Sequence, residues 1–180
     1  TLVNPIGVPN DLNAWLNKEV DMLHNLSVAD LNFVRADPDL NKLLRWYNNF
    51  QCDYLAMDTM NEPLNNLTLR QALSHAIDRE AVVQVLAGTV QPAYTLLSPG
   101  FPGYNPDLAP IQAFDPEMAK ELLAEAGYPE GVDENGQQLE LTIVHHARDP
   151  KIEFIQSQWQ ENLGIKVNYE IIEYAAWGQR

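Results

Sequence analysis

The stretch from Leu139 to Ile171 changes its hydrophobic period twice, and no other feature restricts the fold as tightly. Leu139, Leu141 and Ile143 alternate with Glu140 and Thr142, the period-two pattern of a strand with one buried face. Asp149-Pro150 then supplies a helix start, with Asp as N-cap and Pro at the first helical position, where its missing N–H removes no bond. Ile152, Ile155, Trp159 and Leu163 share one face of the helix that follows, and Gly164 is placed to end it. Ile165, Val167, Tyr169 and Ile171 alternate again. Two strands joined by such a helix form a βαβ unit, so the strands are expected to be parallel with a right-handed crossover. The predicted fold class is α/β (or α+β), a mixed sheet covered by helices.

Upstream, Pro, Gly and Asx residues mark the ends of further elements. Asn10 or Asp11 can cap a short helix carrying Leu12, Trp15 and Leu16, and Val20 to Leu23 reads as a short strand. Ser27 and Asp30 form a relative of the capping box for a helix with Leu31 and Val34 inward. Asp37-Pro38 restarts a helix whose apolar stripe would be Leu40, Leu43, Leu44 and Tyr47. Cys52 to Met57 reads as a buried strand, with Cys52 as a small core residue. Leu69, Leu73 and Ile77 recur at four-residue spacing, and Asp78 offers a second N-cap. The spacing thus predicts two abutting helices between Leu67 and Ala87, the second carrying Val82, Val85 and Leu86 and ending at Gly88. Thr89 to Ala113 is rich in Pro and aromatic residues and is expected to be a long loop, of the kind that is usually functional or wraps a neighbour. Asp115-Pro116 starts another helix, with Met118, Leu122 and Leu123 inward and Gly127 and Pro129 as its stop.

Composition narrows the function classes. The 180 residues suffice for one domain, and Lys plus Arg number 11 against 25 Asp plus Glu, a net charge of −14. Such a charge repels phosphate backbones and anionic lipid, which disfavours nucleic-acid and membrane-surface partners. No apolar run approaches the ~20 residues that span a bilayer. One cysteine, Cys52, permits neither an internal disulfide nor a cysteine zinc site.

Catalytic signatures are sparse. No Gly-x-Ser-x-Gly elbow, GxGxxG or P-loop occurs, and paired carboxylates are expected by chance among so many acids. His145 and His146 are candidate ligands or bases where a strand meets a loop. Adjacent residues on an extended chain point to opposite sides, so the pair is not expected to chelate one metal, and no cofactor is expected. His24 and His75 read as structural. Two candidate ligand contacts remain: Tyr94 in the long loop, against packing onto its own domain, and Arg148 at the end of the first strand, against a solvated surface charge.

Four segments carry a resemblance. "LTLRQALSHAIDREAVVQVLAGTVQPAYTLLSPGFPGYNP" (Leu67 to Pro106), "KEVDMLHNLSVADL" (Lys18 to Leu31), "FDPEMAKELLAEAGYPEG" (Phe114 to Gly131) and "QSQWQENLGIKVNYEIIEYAAW" (Gln156 to Trp177) resemble, in order and spacing, the family 5 extracellular solute-binding proteins, which include oligopeptide- and dipeptide-binding proteins. In the second, Asn17-Lys18 stands where the family pattern has Lys/Asn-Gly. The resemblance implies a two-lobed type II periplasmic-binding-protein fold that encloses its ligand, and it implies no enzymatic activity. Residues 1–180 would be a single, truncated domain of the larger C-terminal lobe. The implied partners are a peptide, the N-terminal lobe and the permease subunits of an ABC importer. The implied location is the periplasm or cell exterior, with a lipoprotein anchor on the full-length protein. Gln91-Pro92-Ala93-Tyr94 is similar to the Pro-Ala-Tyr loop of oligopeptide binders, which favours peptide over sugar, nickel or opine. Arg148 matches the position that can supply a cation for the ligand's carboxylate, with His146 as the alternative. The acidic residue that meets a peptide's N-terminus is expected beyond the last residue of this chain. Two rival expectations come from other classes: a hydrolase using surface carboxylates or His145/His146, and a sensor module reusing the fold.

Overall fold

The computed structural model describes residues 11–23, 26–46, 51–97 and 99–174. The chain divides into two compact units, Thr1–Tyr47 and Asn48–Arg180.

In the first unit the described residues form three short helices, α1 (Asp11–Leu16), α2 (Val28–Ala36) and α3 (Pro38–Asn41). The Ser27 hydroxyl accepts from the Asp30 amide at 3.1 Å and donates to the Asp30 carboxylate at 2.7 Å. This closes the start of α2 and turns Leu31 and Val34 inward, as their spacing predicts. Asp37 caps α3 by accepting from the amides of Asp39 and Leu40. Two expectations fail here. Val20 to Leu23 forms no strand, because no strand is present in this unit among the described residues to take its backbone bonds. The helix after Asp37 stops at Asn41, so Leu43 leaves the predicted stripe and is exposed, and Tyr47 lies outside the described residues.

The second unit is organised by the predicted βαβ unit. Strand β1 (Glu140–His145), helix α7 (Pro150–Leu163) and strand β2 (Lys166–Ile171) follow in order. The strands pair in parallel, with Leu141 opposite Val167 and Ile143 opposite Tyr169. Among the described residues the sheet has these two strands only, so the mixed sheet expected from the sequence is represented by its parallel part. Cys52 to Met57 does not join it. Among the described residues it pairs with no strand, while Leu55 and Met57 pack onto the core, Tyr54 stands 73% exposed and Cys52 is half-buried.

Helices α4 (Leu67–His75), α5 (Arg79–Val85) and α6 (Pro116–Glu125) cover the unit, and α4 packs against α6. Asn66, Asp78 and Asp115 cap them through their side-chain oxygens. The core joins Leu69, Ala72 and Leu73 of α4, Ala119 and Leu123 of α6, Trp159 and Leu163 of α7, and Leu141 and Val167 of the sheet. Met118, expected inward, is 44% exposed. The buried face of α6 runs through Ala119 and Leu123, where the small Ala119 permits close helix approach.

The last carbonyls of α4, which no helix can satisfy by itself, are all taken by side chains or loop amides. The Trp159 indole donates to Leu73 O at 2.8 Å and the Asn162 amide to Ala76 O at 2.9 Å. The Asp115 amide takes His75 O, while Arg79 takes Ser74 O and Ile77 O. The junction is therefore fixed by polar bonds as well as by packing.

Gln158 of α7 is an exception, for its buried Oε1 finds no donor among the described residues. An orphaned buried acceptor costs roughly 1–3 kcal/mol. Gln158→Leu, of similar volume, is therefore expected to raise stability by about 1 kcal/mol in urea denaturation.

Candidate functional site

Strand β1 ends at His145, and the chain bends at His146 and Ala147 before Asp149 caps α7. The Tyr169 hydroxyl holds this turn, donating to Ala147 O at 2.6 Å and accepting from the Asp149 amide at 3.1 Å. The bend brings the two histidines together, contrary to the geometry of a continuous strand. Their ring centroids lie 4.2 Å apart, and His146 meets Tyr174 edge-on at 5.1 Å. His145 Nδ1 lies 2.7 Å from Ala147 O. Among the described residues no group of three or more His, Cys, Asp or Glu is arranged to hold a metal ion. His75 is buried with Nδ1 2.7 Å from Ala113 O; since a carbonyl only accepts, that nitrogen carries the proton. His24 lies outside the described residues.

Arg148 projects from the same turn with 80% of its side chain exposed, its Nε donating to Glu153. Lys151, two residues into α7, is less exposed and was not singled out in the sequence. It donates to Asp53 and lies 3.4 Å from Asp149. A cation in the first turn of a helix opposes the helix dipole, and that was the available signal that Lys151 needs an anionic partner. The partner is 98 residues away in sequence, so spacing could not reveal it.

The Lys151 hydrogen bond, with its charge, holds the Asp53 carboxyl below its ordinary pKa despite partial burial. Burial would lower the Lys151 pKa, but Asp53 and Asp149 outweigh it and raise it. A depressed acid contributes above its unfolded pKa and loses that contribution as pH falls; a raised base contributes below its unfolded pKa and loses it as pH rises. The pair therefore supports the fold between about pH 4 and pH 10. Asp53 is 54% exposed, so the effect is small. Asp53→Asn is expected to lower stability by under about 1 kcal/mol near neutral pH. The difference from wild type should vanish near about pH 2 in paired denaturation curves.

Tyr94 is half-buried in the long loop. Its hydroxyl donates to Glu80 at 3.4 Å, and its ring lies under the Arg79 guanidinium, 5.6 Å away. Burial raises the phenol's pKa, reinforced by the Glu80 carboxylate and opposed by Arg79. Arg79 also escaped the sequence reading. Its Nη1 donates to Gln112 O at 2.8 Å, and its Nη2 donates to Ser74 Oγ at 3.0 Å and Gln112 Oε1 at 3.1 Å. The end of the loop is not structureless, since Pro106–Gln112 winds as a 3-10 helix.

Cys52 and Asp53 link the two sides. The Cys52 thiol lies 3.9 Å from Thr95 O, next to Tyr94, while Asp53 holds Lys151 beside the Arg148 turn. Residues 52–53 thus run from the neighbourhood of Thr95 to the start of α7, the side of the sheet on which ligands of open α/β folds bind. A groove of about 470 Å3 in the first unit, lined by Trp15, Leu16 and Leu40 among others, contains none of these residues.

A model of the bacterial extracellular solute-binding proteins, family 5 middle, matches residues 4–180. The chain belongs to this family. Heme-binding protein A of Haemophilus influenzae is 33% identical over 163 residues, covering 89% of this chain and 29% of its own length. The dipeptide-binding protein of Escherichia coli is 30% identical over 154 residues, covering 84% and 27%. A solved periplasmic oligopeptide-binding protein from Borrelia burgdorferi superposes with a TM-score of 0.64 at 31% identity, over 92% of this chain and 32% of that one. This family 5 chain thus spans less than a third of the length of these relatives, and its α/β architecture is that of periplasmic binding proteins. Among its described residues no helix is long and apolar enough to cross a membrane.

Proposed function

We propose that the full-length protein carrying this family 5 chain is the substrate-binding component of an ABC importer and takes peptides between two lobes. Residues 1–180 belong to the larger C-terminal lobe, and the opposing wall comes from an N-terminal lobe outside this chain. The protein works in the periplasm or outside the cell, held by a lipoprotein anchor, and delivers peptide to permease subunits without chemical conversion. The family match over residues 4–180 carries this reading. Peptide is favoured because relatives along most of the chain are named for dipeptide and oligopeptide binding. The β1–α7 turn offers a cation, Arg148, for the peptide carboxylate, with His146 two residues before it, and Tyr94 lies on the loop that Cys52 approaches at Thr95. Heme is a useful competitor, since one relative is named for binding it.

A clamp of this kind gains affinity by burying its ligand between two surfaces and expelling water. One wall alone leaves most of the ligand in solvent. The isolated 180-residue chain is therefore expected to bind a mixed di- to octapeptide set with Kd above about 1 mM, while the full-length protein binds in the micromolar range or tighter. Calorimetric titration of both decides it. Micromolar peptide binding by the isolated chain contradicts the two-wall mechanism, and heme binding without peptide binding by the full-length protein contradicts the substrate.

A further inference from the structure

We infer that Arg79 is the positioning residue of the ligand wall, clamping both ends of the Pro-rich aromatic loop so that Tyr94 is held in one place. This rests on the reading of Tyr94 as a ligand contact, but the clamp itself is visible in the geometry. One face of the guanidinium lies over the Tyr94 ring near the start of the loop, at 5.6 Å. Its terminal nitrogens reach the backbone and side chain of Gln112 at the loop's end, at 2.8 and 3.1 Å. The same nitrogens hold Ser74 O, Ser74 Oγ and Ile77 O at the α4–α5 junction. One planar cation therefore joins two loop positions 18 residues apart to a rigid helix junction.

No carboxylate among the described residues lies within ion-pair distance of Arg79. Its hydrogen-bond acceptors are backbone carbonyls, a hydroxyl and an amide. A guanidinium can serve all of them at once because its donors form a fixed planar fork, and an ammonium cannot. Around it the same junction is reinforced. Ser74 donates to Gln112 Oε1 at 3.1 Å, and His75 holds Ala113 O. These contacts survive loss of Arg79 and keep the loop's end near α4, whereas the Tyr94 end loses its cation. The loop's start should loosen first.

The test uses the full-length protein with Arg79→Met, Arg79→Lys, Gln112→Ala, Tyr94→Phe and Tyr94→Ala. Hydrogen exchange is followed in residues 89–113 against the α7 amides as internal reference, and affinity is measured for a peptide that the wild type binds. Arg79→Met is expected to speed exchange about tenfold or more in 89–97, with α7 unchanged. It should also weaken peptide binding about tenfold, with a non-additive effect when combined with Tyr94→Phe. Arg79→Lys, which keeps a charge near the ring but not the fork, should spare residues 89–97 and speed exchange in 106–113 only slightly, because Ser74 and His75 still hold the loop's end. If Arg79→Met unfolds the protein, Gln112→Ala removes the side-chain bonds to Arg79 Nη2 and Ser74 Oγ, keeps the bond from Arg79 Nη1 to Gln112 O, and is expected to speed exchange in 106–113. Tyr94's ionisation, isolated by subtracting the Tyr94→Phe spectrum, should shift upward in Arg79→Met and not in Arg79→Lys. Unchanged exchange in the loop overturns the clamp. A loosened loop with intact affinity in Arg79→Met overturns the positioning role if Tyr94→Ala weakens binding. If Tyr94→Ala also binds normally, the clamp stands and the reading of Tyr94 as a ligand contact falls.

Discussion

Trp159→Ala is expected to destabilise the second unit by about 3–5 kcal/mol, enough to remove most of the stability of an average domain. The indole is 4% exposed and joins α7 to the core containing Leu73, Leu123 and Val167. Its removal leaves a large cavity, and it also strips Leu73 O of the donor at 2.8 Å that completes the end of α4. The two losses separate by substitution. Trp159→Phe fills much of the volume and keeps the apolar contacts, so its deficit of about 1–3 kcal/mol reports chiefly the orphaned carbonyl. Urea denaturation of the three proteins, followed by circular dichroism, checks the order wild type, Phe, Ala. Equal stability of Trp159→Phe and wild type would mean that the indole bond contributes nothing.

The second large effect comes from a side chain of one atom. Gly131 has φ of +81°, and a Cβ there would sit 2.7 Å from Gly164 O and 2.8 Å from Leu163 O. Both obstacles are backbone at the end of α7, which Gly164 itself closes in a left-handed conformation. The hydrogen bond from the Leu139 amide to Gly131 O ties the same point to the entry of β1, so the backbone cannot swing away cheaply. Gly131→Ala therefore combines left-handed strain with a clash and is expected to cost about 3 kcal/mol or more. Gly136→Ala is the control: φ is +76°, but nothing lies within 4 Å of the added atom. Its expected cost is about 1 kcal/mol, from backbone strain alone. Similar losses at both positions would show that the close approach of residues 131 and 164 is not rigid.

The elements legible in the sequence were those whose signals are local. Each Asp-Pro pair, and Asp78, predicts a helix start that the structure contains, because a cap is decided within four residues, while Asn10 lies outside the described residues. The βαβ unit was legible because its two periods are carried by core residues, Leu141, Trp159 and Val167 among them. Failures came where a neighbour decides. Cys52 to Met57 has strand composition but no partner strand among the described residues, so it forms no strand and stays partly exposed. Met118 fits a helical stripe, yet the face that packs is set by where α4 lies.

At the candidate site, Arg148 and His146 are candidates from the sequence because they follow a strand end, where α/β folds form ligand crevices. Lys151, Asp53 and Arg79 were not, since their roles depend on contacts 33 to 98 residues away. The histidine pair shows the same limit. Alternation places His145 and His146 on opposite sides, and a bend after β1 brings their rings to 4.2 Å.

Under the proposed function, Arg148 meets the carboxylate of a peptide enclosed by the full-length protein. Calorimetric titration of that protein and its Arg148→Ala variant, each with one peptide in free-carboxylate and C-terminally amidated form, tests it directly. The expected result is that wild type prefers the free carboxylate by about tenfold or more and that Arg148→Ala abolishes the preference, binding both forms weakly and alike. A wild type indifferent to amidation, or an Arg148→Ala variant that keeps the full preference, would contradict the account.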